Sequence, residues 1–223
     1  MESGEFILIE YVGRIKDTGE IFDLTREEVA KKEKIHSDKV KYGPVPFIVD
    51  SSFVIRGLND CVKEMKIGEK KEVEIYPDRG FGKRSEDLVK IIPEARFKER
   101  NIDTTPGSFV TVNNFHGKIL SIDGGRAKID FNHPLAGKVL VYEIEILKPI
   151  EAVDEKIKAV IYYFTGLQSS EIDAKVEEST AQIEFKEKID LPSNAKEAIA
   201  DQIIKLVKGI ELVKFVDSYG KPK

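Results

Sequence analysis

Residues 53–82 read FVIRGLNDCVKEMKIGEKKEVEIYPDRGFG, and the fold turns on this stretch. A β-rich apolar run, Phe53 to Ile55, enters Arg56-Gly57. Leu58, Cys61, Val62 and Met65 then recur at i, i+3, i+4 and i+7, the spacing of a short helix with one buried face. Gly68 is expected to end that helix in a left-handed cap. Glu72 to Tyr76 reads as a strand and leads into Pro77-Asp78 and Gly80-Phe81-Gly82. Strand, buried helix, strand and glycine turn predict a sheet wrapped over one helix.

The segments before it supply strands. Residues 5–15, EFILIEYVGRI, read as a first strand, with Ile7, Ile9 and Tyr11 alternating on one face. Asp17-Thr18-Gly19-Glu20 is a hairpin turn, and Ile21 to Leu24 returns. Asp23 is unusual there, because aspartate is disfavoured in strand interiors. Residues 25–43 form a charged excursion, read as a surface insertion, whose helix would start with Thr25 as cap and Glu28 completing a capping box. Extended chain resumes at Pro44 to Val49.

After Gly82 the pattern becomes that of a small all-β unit. Leu88 to Pro93 is a strand and Glu94 to Phe97 a turn of helix. Three strands, Phe109–Phe115, Lys118–Ile122 and Arg126–Phe131, are joined by hairpin signals at His116-Gly117 and Asp123-Gly124-Gly125. The apolar strand Val139 to Leu147 then gives the first sheet its closing partner, so the β unit reads as an insertion. From Glu151 the character shifts again. Lys158 to Phe164 reads as a strand, with Ser169 or Ser170 capping a short helical turn. Thr180 to Glu187 is a second strand. A helix opened by an Asn194/Glu197 capping box carries Ile199, Ile203, Leu206 and Val207 and ends at Gly209. Ile210 to Val216 is a last strand.

The fold class is therefore α+β, in three parts: 1–83 with 132–150, the insert 84–131, and 151–223. Of the residues, 41% are hydrophobic and 34% charged, enough for real cores beneath a densely charged surface. With a net charge of -4 and dispersed basic residues, nucleic-acid binding is not the default. The single cysteine, Cys61, excludes an intrachain disulfide and reads as a small buried hydrophobe. The first residues, MESGEFILIEYVG, lack a signal-peptide pattern, and no apolar run approaches ~18 residues, so a soluble cytoplasmic protein is expected, without a membrane partner. His36, His116 and His133 are far apart in sequence, which predicts neither metal nor cofactor.

Taken together, these motifs resemble those of FKBP-type peptidyl-prolyl isomerases. EYVGRIKDTGEIFD (10–23) is similar to their first hairpin, FVIRGLNDCVKEMKIGEKKEV (53–73) to the pocket helix with its flanking strands, and PDRGFG (77–82) to the start of the flap. NHPLAGKVLVYEIEILKP (132–149) resembles the return strand of the SlyD-like subgroup, whose flap carries an extra domain. Residues 151–223 look like the C-terminal extension of the long archaeal-type members. The resemblance implies a half-open antiparallel sheet around the Leu58–Met65 helix, with a prolyl pocket lined by Tyr11, Phe22, Asp23, Val54, Ile55, Leu58, Phe81 and Tyr142. Leu58 would be the floor where familiar members have tryptophan; Phe81 stands for a flap tyrosine and Tyr142 for a phenylalanine.

The activity so implied is cis-trans isomerisation of X–Pro bonds, with chaperone activity from the insert. Its partners would be proline-containing peptides and unfolded or partly folded chains, and the C-terminal domain offers strand edges for a homodimer. Phe109, Val110, Val112, Phe115, Ile119, Leu120 and Ile122 give the insert more apolar surface than so small a unit easily buries. The competing readings are a non-catalytic holdase and a dimeric interaction module with a vestigial pocket.

Overall fold

The computed structural model describes residues 1–99 and 102–218. The first sheet is built on β1 (Phe6–Ile15), which is buried on both faces at its start: Ile7 and Ile9 face one core and Phe6 another. β2 (Ile21–Leu24) returns antiparallel beside its second half, with Gly13 opposite Asp23. α1 (Glu27–Lys32) follows, one turn and a half long. Its N-cap is Arg26 and makes no side-chain bond, so the predicted Thr25 cap is not formed. Thr25 is instead buried. Its Oγ1 accepts from the Tyr11 N–H at 2.9 Å and donates to the Tyr11 carbonyl at 3.3 Å, since a hydroxyl shut away from water takes the nearest backbone partners.

β3 (Val45–Ile48) pairs with the first half of β1, Phe6 opposite Ile48. α2 (Arg56–Glu64) then packs Leu58, Cys61 and Val62, with Met65 just beyond its end, against Ile7, Ile9, Phe47 and Ile144 in one core. The helix stops at Glu64 rather than at Gly68. Gly68 has φ +80° in the turn that follows, where its N–H bonds the Ile146 carbonyl at 2.7 Å. β4 (Lys70–Ile75) is the far edge of this sheet.

The insert comprises β5 (Val89–Pro93), α3 (Ala95–Lys98), β6 (Phe109–Val112), β7 (Phe115–Asp123) and β8 (Arg126–Asp130). Its four strands run in the order β5-β8-β7-β6 over Phe97, Val110, Ile119, Ala127 and Ile129. The β6–β7 turn lies at Asn113-Asn114, φ +50° and +67°, not at His116-Gly117. Paired asparagines tolerate the left-handed conformations that a tight hairpin demands. Gly117 is inside β7 for a packing reason: a Cβ there would stand 2.6 Å from Ile129 and 2.8 Å from Phe131. β9 (Leu140–Pro149) returns to the first sheet between β1 and β4, completing an antiparallel sheet in the order β2-β1-β9-β4.

The C-terminal domain corrects the sequence reading most. Lys158–Phe164, expected as a strand, lies within α4 (Val153–Thr165). The β-branched and aromatic run favours a strand locally. Ile157, Val160 and Ile161 nonetheless bury one helical face, Asp154 and Glu155 occupy the first turn, and Gly166 closes the helix at φ +70°. β10 (Ile172–Glu177), absent from the sequence reading, pairs antiparallel with β11 (Thr180–Phe185). α5 (Ser193–Leu206) is capped by Pro192 without a side-chain bond, so Asn194 already lies inside the helix and the expected capping box is not made. β12 (Leu212–Val216) runs parallel to β11. The core of this domain takes in Phe6 and Ile48 from the first sheet together with Ile157, Ile161, Ile199 and Ile203. Among the described residues, no helix is long and apolar enough to cross a membrane.

Candidate active site

The candidate site is assembled where β1, β2 and β9 meet the loop before α2. Tyr11 on β1, Phe22 and Asp23 on β2, and Tyr142 on β9 are brought together by register, because Gly13 stands opposite both Asp23 and Tyr142. A Cβ on Gly13 would lie 2.7 Å from Phe22 and 3.1 Å from Tyr142, so only glycine leaves room for both rings. Phe22 meets Tyr142 edge-on with centroids 5.5 Å apart, and Tyr11 tilts against it at 5.8 Å. The Tyr11 hydroxyl donates to Asp23 Oδ2 at 2.6 Å.

Two polar contacts hold these groups in place. Thr25 clamps the Tyr11 backbone, as described above. Asn59, buried inside α2, accepts from the Asp50 N–H at 2.8 Å and donates to the carbonyls of Ser51 and Val54 at 3.1 and 3.4 Å. It ties the helix to the loop that delivers Val54 and Ile55. An asparagine in mid-helix is disfavoured by its own propensity, and that was the available signal for a positioning role.

Leu58 and Tyr142 are buried in the same cluster as Ile7, Met65 and Ile144, and Tyr11, Phe22, Val54, Ile55 and Phe81 pack against it half-buried. Seven of the eight residues expected at the pocket thus lie in or against one core cluster, and Asp23 is tied to it through Tyr11. Three others stand with them that the sequence reading did not include. Leu135 packs on the same cluster from the loop before β9, and Tyr162 does so from α4. His133 stacks on Phe81 at 4.3 Å with the ring planes 1° apart. A loop leucine has no periodicity to betray it, and reading 158–164 as a strand hid the direction of Tyr162.

The electrostatics centre on one carboxylate. Burial, and then the charge and hydrogen bond of Asp23, push the Tyr11 hydroxyl well above the ordinary tyrosine range. Tyr142 is raised by burial and then by Asp23. Both phenols stay neutral at physiological pH. Tyr11 is committed to Asp23, whereas the Tyr142 hydroxyl has no hydrogen-bond partner among the described residues. The site offers apolar and aromatic walls, one anchored carboxylate and two phenols unengaged among the described residues, those of Tyr142 and Tyr162.

The flap insert enters beside Phe81. Gly82 accepts from the Gly137 N–H at 2.8 Å, and Ser85 and Asn132 exchange two bonds of 2.8 and 2.9 Å across the crossings. Arg84 reaches Asp130 at 2.8 Å. On the insert, Ile91, Phe109 and Phe115 remain about two-thirds exposed while Val110 and Ile119 are in its core.

Comparison with known proteins gives consistent matches. Residues 90–135 match the family model described as the FKBP26 IF domain, and residues 153–220 match that of the FKBP26 C-terminal domain. A short-type peptidyl-prolyl cis-trans isomerase of Methanocaldococcus jannaschii is 32% identical over 154 residues, covering 68% of this chain and 97% of that protein. The FKBP-type peptidyl-prolyl cis-trans isomerase SlyD of Helicobacter pylori is 26% identical over 155 residues, 68% of this chain and 76% of that protein. The FKBP-type 16 kDa isomerase of Escherichia coli is 28% identical over 110 residues, 47% of this chain and 73% of that protein.

Proposed function

The chain belongs to the FKBP-type peptidyl-prolyl cis-trans isomerases, and from that premise we propose that the Tyr11–Asp23 cleft is where it turns the X–Pro bond, with the flap insert holding unfolded chain alongside. The observation that carries this reading is the Tyr11–Asp23 bond of 2.6 Å set among Phe22, Val54, Ile55, Leu58, Phe81 and Tyr142.

The barrier to be lowered is amide resonance, about 18–20 kcal/mol for peptide bonds generally. At the twisted transition state the carbonyl and nitrogen are decoupled and the bond is less dipolar. An apolar cleft favours that state over the planar one, and preorganised dipoles can do the rest, so no nucleophile, metal or proton transfer is needed. The aromatic faces of Phe22, Tyr142 and Phe81 receive the proline ring, and Leu58 closes the floor. Asp23 keeps Tyr11 oriented. The unengaged Tyr142 hydroxyl supplies the donor that Phe81 lacks.

The insert fits a second task. Exposed Phe109 and Phe115 and the free edges of β5 and β6 suit loosely folded chain, by apolar contact and by strand addition. Capture there raises the concentration of prolines at the neighbouring cleft. A homodimer through the C-terminal sheet completes the proposal, since β10 and β12 end that sheet with Val176 and Leu212 exposed.

The test is kinetic. Asp23→Ala and Phe81→Ala should each lower kcat/KM for a short prolyl peptide by roughly tenfold, in keeping with lost transition-state binding. Phe109→Ser with Phe115→Ser should leave the peptide rate alone and weaken protection of an aggregating protein. Unchanged peptide kinetics in both pocket variants would refute the site.

A further inference from the structure

Helix α4 belongs to the C-terminal domain but lies along β3, an outer strand of the isomerase sheet. Two contacts fix it there. The Tyr163 hydroxyl donates to the Pro46 carbonyl at 2.9 Å, and the Tyr163 ring stacks on Phe53 at 4.5 Å, 12° from parallel. Phe53 immediately precedes Val54 and Ile55, so the helix is anchored to the segment that carries one wall of the cleft. The next ring on the helix is Tyr162, 5.9 Å from Tyr163 and turned edge-on to it. Anchored by its neighbour, Tyr162 packs on the pocket cluster rather than on the core of its own domain. Its hydroxyl has no hydrogen-bond partner among the described residues.

We propose that Tyr162, carried by the C-terminal domain, is a substrate-contacting residue of the isomerase site, its hydroxyl donating to a backbone carbonyl of the peptide beside the proline. The inference rests on the reading of the cleft given above. Three phenols surround Asp23. Tyr11 is spent on the carboxylate, Tyr142 lies at the aromatic wall, and Tyr162 stands on the side where β3 is the last strand. Its phenol is raised by burial and then by the Asp23 charge, so Tyr162 senses that carboxylate and remains a neutral donor. A peptide crossing the cleft brings carbonyls past this point whatever its sequence. A backbone carbonyl is therefore the partner that a site for many different chains would use.

Steady-state isomerisation of a proline-containing tetrapeptide by the full chain tests this. Tyr162→Phe removes one oxygen and keeps the ring, so folding is preserved. It should lower kcat/KM by about three- to tenfold, the worth of one hydrogen bond. Tyr162→Ala should lower it further, and Asp23→Ala, measured in parallel, should also lower it. If Tyr162→Phe matches the wild type while Asp23→Ala is impaired, the cleft stands and Tyr162 is only packing. If both variants match the wild type, the cleft itself is misplaced and the inference falls with it.

Discussion

The flap insert packs Phe97, Val110, Ile119, Ala127 and Ile129 into a core of its own, and Ser85 and Asn132 exchange polar contacts with each other where it joins the body. The C-terminal domain shares its core with the body: Phe6 and Ile48, both from the first sheet, lie among Ile157, Ile161 and Ile203. One addition is hung on two loop crossings and the other is fused. The difference matches the tasks proposed for them. A module that must hold chains of many shapes gains from moving as a unit, whereas a helix that borders the cleft must not move. The lesson is that the position of a domain in the sequence does not predict its coupling. The insert interrupts the isomerase domain and is packed apart from it; the appended domain is continuous with it.

The hardest test of this comparison removes core atoms on each side. Phe6→Ala should cost about 3–5 kcal/mol, and Ile129→Ala about 2–5. Hydrogen exchange resolved by segment should show the loss from Phe6→Ala spread over β1, β3, α4 and α5, because one core serves them all. Ile129→Ala should unprotect β5 to β8 and leave β1 and β9 as they were. Lost protection in β1 on truncating Ile129 would mean that the insert is fused as well.

A smaller change separates the two functions. Gly13 and Gly117 each face a ring that a methyl group would strike, Phe22 at 2.7 Å and Phe131 at 2.8 Å. Alanine at either should cost about 1–3 kcal/mol through overpacking. Gly13→Ala should displace Phe22 and Tyr142 and slow isomerisation of a short peptide severalfold. Gly117→Ala should leave that rate unchanged and reduce refolding of a protein substrate. Equal effects on the peptide rate would break the division of labour.

These two glycines also mark what the sequence allowed to be read. The 53–82 stretch declared its helix because Leu58, Cys61, Val62 and Met65 are spaced for one buried face. The pairing of β1 with β2 followed from a four-residue turn, and with it the neighbourhood of Tyr11 and Asp23. Gly117 reads as a turn in the sequence because glycine has two uses, and only the opposing strand reveals which applies. Local preference in Lys158 to Phe164 points to a strand; the helix is set by burial against Phe6 and Ile199, which are distant in sequence. The same local preference conceals the direction of Tyr162. Long-range packing decided the helix over Val153–Thr165 and the place of Gly117, whereas the Asn113-Asn114 turn was set locally by two asparagines in the left-handed region.

The smallest effect concerns pH, where the two regions should fail at opposite ends of the scale. Burial alone would raise the Asp130 carboxyl, but the bonds from Asn132 and Arg84 hold it below the ordinary aspartate value of 3.8. Between its folded and unfolded values the unfolded chain binds the extra proton. The stability it lends the insert crossing is therefore present above about pH 4 and fades as acid reaches the folded value. Tyr11 and Tyr142 are displaced the other way, above the ordinary 10.0, by burial first and then by Asp23. Here the folded chain keeps the proton longer, so stability is unaffected below about pH 10 and falls as pH rises beyond it. Because neither phenol is to exchange a proton in the reaction, kcat/KM for a short peptide should stay flat from about pH 6 to pH 9.5. Asp130→Asn should remove much of the acid-labile part of insert protection and leave the alkaline limb untouched. A bell-shaped peptide profile centred near neutrality would instead require a proton-transfer group in the cleft and overturn the mechanism.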